Sequence, residues 1–499
     1  MMPVRVRSIL CNLLSVLFLF FAFPYSIQSR QTPGDVASRP SRETREWVHD
    51  AVIYEVFPRN FSLEGTFNAI TAQLDRLRDL GVTIIWLMPV HPTGQEKKKG
   101  SIGSPYAVRD FYAVNPDYGT KEDFRRLVAE THRRGMKLII DMVANHTAWD
   151  SVMIKTPEFY TRDSTGKILP IGDCCPDVAD LNYDNPRLRE YMTDVLKYWV
   201  REFDIDGFRC DIAYMVPTDF WEQARKELER IKPDIIMLAE SQEPEHLLAA
   251  FDLNYDWPLF HTITEVVNGL KPATAFRAVW QSERARMPRG GLRLRFSDNH
   301  DELRATARLG QRAALAASAL LFTLDGVPLL YNGMEVGDTT ESSDPVLFEK
   351  APIRWQVNKR PPEINRFYKQ IIALRRASPA LRQGEMEWVG NSDDSRIITY
   401  ERRLGAERFL IAINFSNRPF IGLVDARASH ELEDVFSNDR LTSDSHPGPR
   451  AASLPALSLD PWGFRVFKKR EARSQKPEAR SQKLVVAYAD SHQSPLIER

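Results

Sequence analysis

Cysteine is scarce in this sequence, with 4 in 499 residues, and one of these, Cys11, falls in an N-terminal apolar stretch. The remaining Cys174, Cys175 and Cys210 are odd in number, adjacent cysteines rarely bridge because the ring they close is strained, and no zinc-ligand spacing is present. A disulfide framework and a zinc module are therefore not indicated, and the three read as incidental thiols unless Cys174 or Cys175 meets another partner. Net charge is missing as well: Lys+Arg 67 and Asp+Glu 67 cancel to +0. Without an excess of cations the chain lacks the electrostatic footprint that holds nucleic acid or an anionic membrane, so its partners are expected to be neutral. The one long apolar run, residues 9–23, is shorter than the roughly 20 residues of a bilayer span. With Arg5 and Arg7 before it and Ser26 and Ser29 after it, the run predicts a signal peptide over residues 1–29, hence a secreted or periplasmic protein with no membrane span in the mature chain. An uncleaved N-terminal anchor is the alternative. The lysine run 97–99 has no phosphate cradle beside it and reads as a solvated rim.

What is present is enough to bury a large core: 43% hydrophobic, 27% charged and 10% aromatic residues, near the globular average. From residue 51 onward, short apolar or β-branched runs at 51–57, 82–88, 137–143, 205–211, 235–240, 251–257, 292–298 and 327–332 alternate with amphipathic stretches such as 69–80, 121–134, 187–203, 219–231 and 311–324. Eight strand-then-helix units predict an α/β fold, a closed parallel (β/α)8 TIM barrel, here over residues 47–385, its strands apolar because both faces are covered. The unpatterned residues 146–184 predict a short inserted domain after the third strand. Alternating runs within 386–470 predict a C-terminal β-sandwich, and the polar duplicate EARSQK at 471–476 and 478–483 predicts a disordered tail over 471–499.

A barrel of this kind presents its chemistry at the C-terminal ends of its strands. Those ends read DMVANH at 141–146, GFRCD at 207–211, Ala239-Glu240, and SDNHD at 297–301. One Asp at a strand end serves as a helix cap, and one His as a packing residue. Carboxylates, histidines and an arginine at four ends of one mouth are a costly structural device and point to chemistry. Cleavage of a glycosidic bond needs two facing carboxylates, one to protonate the leaving oxygen and one to meet the cationic sugar carbon. Arg209 shares a strand face with Asp211 and would keep it ionised, which favours Asp211 as nucleophile. Glu240 follows the apolar run IIMLA, where desolvation would raise its pKa toward that of a general acid. Asp301 is the third carboxylate.

These four segments, in this order and spacing, resemble the signature regions of the α-amylase family of glycoside hydrolases, and the likeness extends over residues 51–376. Two further segments, SPYAVRDFYAVNPDY at 104–118 and GVPLLYNGM at 326–334, are similar to family segments. The resemblance implies a retaining double displacement in which Asp211 carries the covalent intermediate, Glu240 is acid then base, and Asp301 binds sugar hydroxyls. It implies that Tyr106 stacks on the sugar and that His146, Arg209 and His300 line the same subsite. It also implies a structural calcium held by the oxygens of Asn145 and Asp180. Where the family commonly has Lys-His after the nucleophile, this chain has Tyr214-Met215, a departure on the leaving side of the cleft. The expected function is hydrolysis of α-1,4 bonds in starch-like glucans or maltooligosaccharides. A transglycosylase or isomerase using the same carboxylates and a non-catalytic glucan-binding barrel are the alternatives.

Overall fold

Apolar runs of four to six residues cannot bury themselves as helices, and they become parallel strands when amphipathic helices cover them. The computed structural model describes residues 33–173, 175–340, 346–353, 355, 362–426, 432–437 and 456–469. The expected signal peptide, Cys174 and the expected tail lie outside the described residues. Eight strands close a parallel barrel: β1 (Ile53–Val56), β2 (Ile84–Leu87), β3 (Lys137–Met142), β4 (Gly207–Cys210), β5 (Ile236–Ala239), β6 (Leu253–Tyr255), β7 (Leu292–Arg295) and β8 (Val327–Tyr331), with β8 returning to β1. Each lies inside a run expected from the sequence. The interior is filled by Ile53, Trp86, Ile139, Leu238, Tyr255 and Leu294 among others, all fully buried.

The covering helices start where local chemistry says they should. Lys121–Arg133 opens with a reciprocal capping box between Thr120 and Asp123, and Pro186–Phe203 opens with the Asn185 side chain capping Arg187 N and a proline at the first turn. The latter buries Leu188, Val195, Trp199 and Phe203 on one face, and Trp199 Nε1 donates to Phe111 O at 2.8 Å. Truncating Trp199 to alanine would cost about 3–5 kcal/mol through lost area and the cavity left behind. The expected helix at 69–80 is two pieces, Phe67–Thr71 and Leu74–Leu80.

Between β3 and Pro186–Phe203 the chain forms a small hairpin, His146–Ala148 against Val178–Asp180, plus two short 3-10 turns. After the barrel, five antiparallel strands in the order Glu385–Trp388, Ile397–Leu404, Glu407–Asn414, Phe464–Lys469, Leu432–Asp434 form a sheet, with a second two-stranded sheet of Phe420–Leu423 and Ala456–Leu459. Their shared core includes Leu410, Phe420, Leu457 and Phe467. Among the described residues no helix is long and apolar enough to cross a membrane. The lysine run is not simply solvated: Lys97 Nζ sits 3.3 Å from the Trp149 ring centroid and Lys99 Nζ 3.0 Å from Asp177.

Candidate active site

The β3–β4–β5 register determines which side chains can meet. Asp141 pairs with Arg209 across β3 and β4, and Cys210 pairs with Ala239 across β4 and β5, so Asp211 and Glu240 emerge side by side just past their strands. The close approach of β4 and β5 requires a glycine at 207, where a Cβ would sit 1.9 Å from Ile236 O.

Arg209 is fully buried at the centre of the mouth. Its Nη1 donates to Asp141 Oδ1 at 2.9 Å and to Asp211 Oδ1 at 2.8 Å, and its Nε donates to Tyr255 Oη at 3.2 Å. Its Nη2 lies 2.8 Å from Glu240 Oε2, near enough for strong attraction but off the hydrogen-bond line. The guanidinium also sits 5.2 Å from the Trp86 ring centroid and 5.7 Å from that of Tyr255. Three carboxylates around one buried cation are the compensation that such a charge demands. Burial still dominates: it raises Glu240 and Asp211 above the usual carboxylate range against the pull of Arg209, and holds Asp141 up at about 7.

Glu240 is fixed from a second direction. The backbone amide of Ile212 donates to Glu240 Oε2 at 2.7 Å. Ile212 reaches this position in a left-handed conformation, φ 33 and ψ 48, which a β-branched residue adopts only under constraint. The following 3-10 turn, Ala213–Met215, leaves Tyr214 57% and Met215 38% exposed beside the carboxylates.

Across the mouth, His300 donates from Nδ1 to Glu55 and lies 3.3 Å from Asp301 Oδ1 through Nε2. Burial opposes the charged ring, but the Asp301 and Glu55 carboxylates outweigh it and hold His300 up at about 9. The protonated Nε2 faces Tyr106 Oη at 2.6 Å, and Tyr106 donates to Asp141 Oδ2 at 3.0 Å. Asp301 is the most open of these carboxylates, its side chain 39% exposed. His146, by contrast, is pushed down to about 4 by burial and bonds the Tyr106 backbone as a neutral ring. Arg209, Asp211, Glu240, Tyr106, His300 and Asp301 thus form one contact network, with His146 joined to it through Tyr106.

Sequence reasoning missed Glu55 and the supporting roles of Asp141, Tyr255 and Trp86. Glu55 was detectable as a lone carboxylate inside an apolar strand run. Its partner His300 is 245 residues away and gave no local sign.

For calcium, Asn145 Oδ1 is buried without a hydrogen-bond partner among the described residues, and Asp180 is half-buried, with burial raising its carboxyl above the usual range. These are hard oxygen donors of the kind calcium takes. Among the described residues no cluster of three or more His, Cys, Asp or Glu side chains gathers to add to them.

A family model described as alpha amylase, catalytic domain, matches residues 26–164 and 172–391. The chain is 28% identical over 420 residues to Alpha-amylase MalA of Haloarcula japonica, covering 79% of this chain and 59% of that protein. It is 27% identical over 466 residues to the Intracellular maltogenic amylase of Bacillus subtilis, covering 81% and 73%. The crystal structure of AmyB, a noncanonic maltogenic alpha-amylase from Thermotoga neapolitana, superposes with a TM-score of 0.77 at 31% identity, covering 85% of this chain and all of that one. The likeness to an intracellular enzyme overturns the expectation of a secreted or periplasmic protein, which rested on N-terminal composition alone. A match over most of its length, on a barrel whose mouth gathers these carboxylates, makes this chain a member of the alpha-amylase family and a glycoside hydrolase.

Proposed function

We propose that the protein hydrolyses α-1,4-glucosidic bonds of starch-like glucans or maltooligosaccharides with retention of configuration. The observation that carries cleavage by a carboxylate pair is the shared guanidinium: Asp211 and Glu240 oxygens, each 2.8 Å from a different terminal nitrogen of Arg209, lie within about 8 Å of each other, inside the span over which two carboxyl groups act on one glycosidic bond, and retention is what the family resemblance implies. In the first step Glu240, whose protonated form burial favours, gives its proton to the glycosidic oxygen while an Asp211 oxygen attacks the anomeric carbon. The leaving sugar departs with that proton, and a glycosyl ester remains on Asp211. Glu240, now a carboxylate, takes a proton from water as the water oxygen displaces Asp211. Asp301, at the open rim beside the charged His300, accepts hydrogen bonds from sugar hydroxyls, and Tyr106 presents its half-buried ring to the sugar.

The same ester could pass to a sugar acceptor. The exposed Tyr214 offers an aromatic face where that acceptor would sit, which favours transglycosylation as the second reading. A product time course from defined maltooligosaccharides separates the two: reducing sugar released one for one with bonds cleaved supports hydrolysis, and longer or rearranged products support transfer. Asn145 and Asp180 would hold a structural calcium through their oxygens, tying the hairpin to the barrel mouth, with no part in the bond-breaking steps.

A further inference from the structure

Strand β1 carries a single charged side chain, and it points into the barrel. Ile53 lies among the interior residues whereas Tyr54 and Val56 pack with the outer core, so alternation puts Glu55 on the interior face. Its backbone is pinned from both sides, in register with Trp86 of β2 and Tyr331 of β8, and Asn332 N donates to Glu55 O at 2.9 Å. Glu55 is 0% exposed. A carboxylate buried this deeply persists only when a partner answers its charge. Among the described residues that partner is His300: Nδ1 of the ring meets Glu55 Oε1, while Glu55 Oε2 has no hydrogen-bond partner.

The hydrogens available fix the direction of the bonds that follow. The Tyr106 hydroxyl has one hydrogen, and it goes to Asp141 Oδ2, which Arg209 also holds. At 2.6 Å from that hydroxyl, His300 Nε2 must therefore donate. Glu55 as a carboxylate only accepts, so Nδ1 donates as well and the ring is an imidazolium. Donors then run one way, from His300 to Tyr106 to Asp141, with Asp301 Oδ1 beside Nε2 at 3.3 Å. Packing holds the same ring: it lies at 19° to Tyr106 with centroids 5.3 Å apart, and edge-on to Trp86 at 83° and 5.9 Å. The charged groups around it are Glu55 and Asp301 in contact, and Asp141, Asp211, Glu240 and Arg209 through space. Burial and Arg209 oppose the imidazolium, and Glu55 is one of the two carboxylates that do most to offset them.

We propose that Glu55 is a positioning residue for glycosidic cleavage: by accepting from Nδ1 it keeps His300 donating through Nε2, which aligns the Tyr106 ring and the Asp301 carboxylate on the sugar that Asp211 attacks. This role, which rests on the hydrolytic reading of the mouth, falls to a fully buried side chain that acts only through His300.

The experiment follows the His300 ring by NMR in the full chain labelled at its histidine ring carbons, the His300 signal among the 10 histidines being the one lost in H300Q. Alongside it, kcat and KM on maltooligosaccharides are measured from pH 6 to 8. In the unmodified chain the signal is expected to stay that of an imidazolium across the range. In E55Q it should titrate inside the range. The kcat/KM of E55Q relative to the unmodified chain should be within a few-fold at pH 6 and about tenfold or more lower at pH 8, with most of the loss in kcat. An imidazolium signal that persists to pH 8 in E55Q, or an activity loss equal at every pH, overturns the proposal, because a merely structural carboxylate lowers the thermal midpoint and moves neither readout with pH. Should E55Q fail to fold, a neutral His300 at pH 7 in the unmodified chain overturns it and an imidazolium supports it. An unmodified chain that leaves maltooligosaccharides intact refutes the hydrolytic reading instead, and the NMR arm still decides whether Glu55 sets the His300 proton.

Discussion

The amide of Ile212 holds Glu240 by a single hydrogen bond of 2.7 Å, so the residue next to Asp211 in the chain positions the carboxylate on the neighbouring strand. The left-handed backbone at Ile212 is what turns that N–H toward Glu240. Relieving the strain with I212G frees the turn: kcat is expected to fall about tenfold or more, because misplacing a reacting group by 1 Å costs up to roughly a hundredfold. KM and the thermal midpoint should change little. Steady-state kinetics with thermal melts check this.

Removing the proposed acid should change the pH profile in a definite direction. Burial raises Glu240, so its protonated form persists to higher pH than in an exposed glutamate, and activity is lost as pH rises through that raised value. E240Q should abolish this alkaline limb and lower kcat by about 10²–10⁴ on maltooligosaccharides, with a smaller loss on substrates whose leaving group needs no proton. A kcat–pH series with both substrate types checks it.

Arg209 is the shared counterion, and its loss should be felt in the whole mouth. R209M leaves Asp141, Asp211 and Glu240 clustered without their cation, which is expected to cost about 3–5 kcal/mol, read by urea unfolding. Activity should also require higher pH, since Asp211 would ionise less readily.

Stability should fall on the alkaline side because of His300. Its folded pKa of about 9 lies above the unfolded value of ~6.5, so its contribution is complete below pH ~6.5 and is lost as pH rises through 9. E55Q removes one of the carboxylates that hold the charge and should flatten this decline. Thermal midpoints measured between those pH values, for both proteins, give the answer.

Chelator treatment should lower the thermal midpoint by several degrees, with calcium restoring it and N145A insensitive to both. A chelated enzyme with an unchanged midpoint removes the calcium assignment.

The barrel was legible because its strands are buried on both faces, which leaves mainly apolar runs with few polar residues such as Glu55, Arg209 and Arg293 in them, and β1 through β8 each fall within one. The break between Phe67–Thr71 and Leu74–Leu80 was not, because Ala72 and Gln73 carry no breaker residue and the apolar spacing continues across them. The helices Trp257–Val267 and Thr274–Arg286 went unread after the weakest strand signal. At the site, Asp211, Glu240 and Asp301 stand at strand ends where a barrel displays its chemistry, whereas Glu55 lies inside a strand and declares itself only through its contact with His300. Export was inferred from an apolar N-terminal run, a feature of composition with no site chemistry behind it.

The retaining assignment to Asp211 is tested most directly by incubating the enzyme with a fluorinated glucosyl fluoride that slows breakdown of a glycosyl ester, then mapping the added mass by peptide mass spectrometry. The account predicts one glucosyl adduct, on the peptide containing Asp211, that decays when maltose is supplied. An enzyme that turns over maltooligosaccharides, releases the β-anomer first and never acquires the adduct would contradict it.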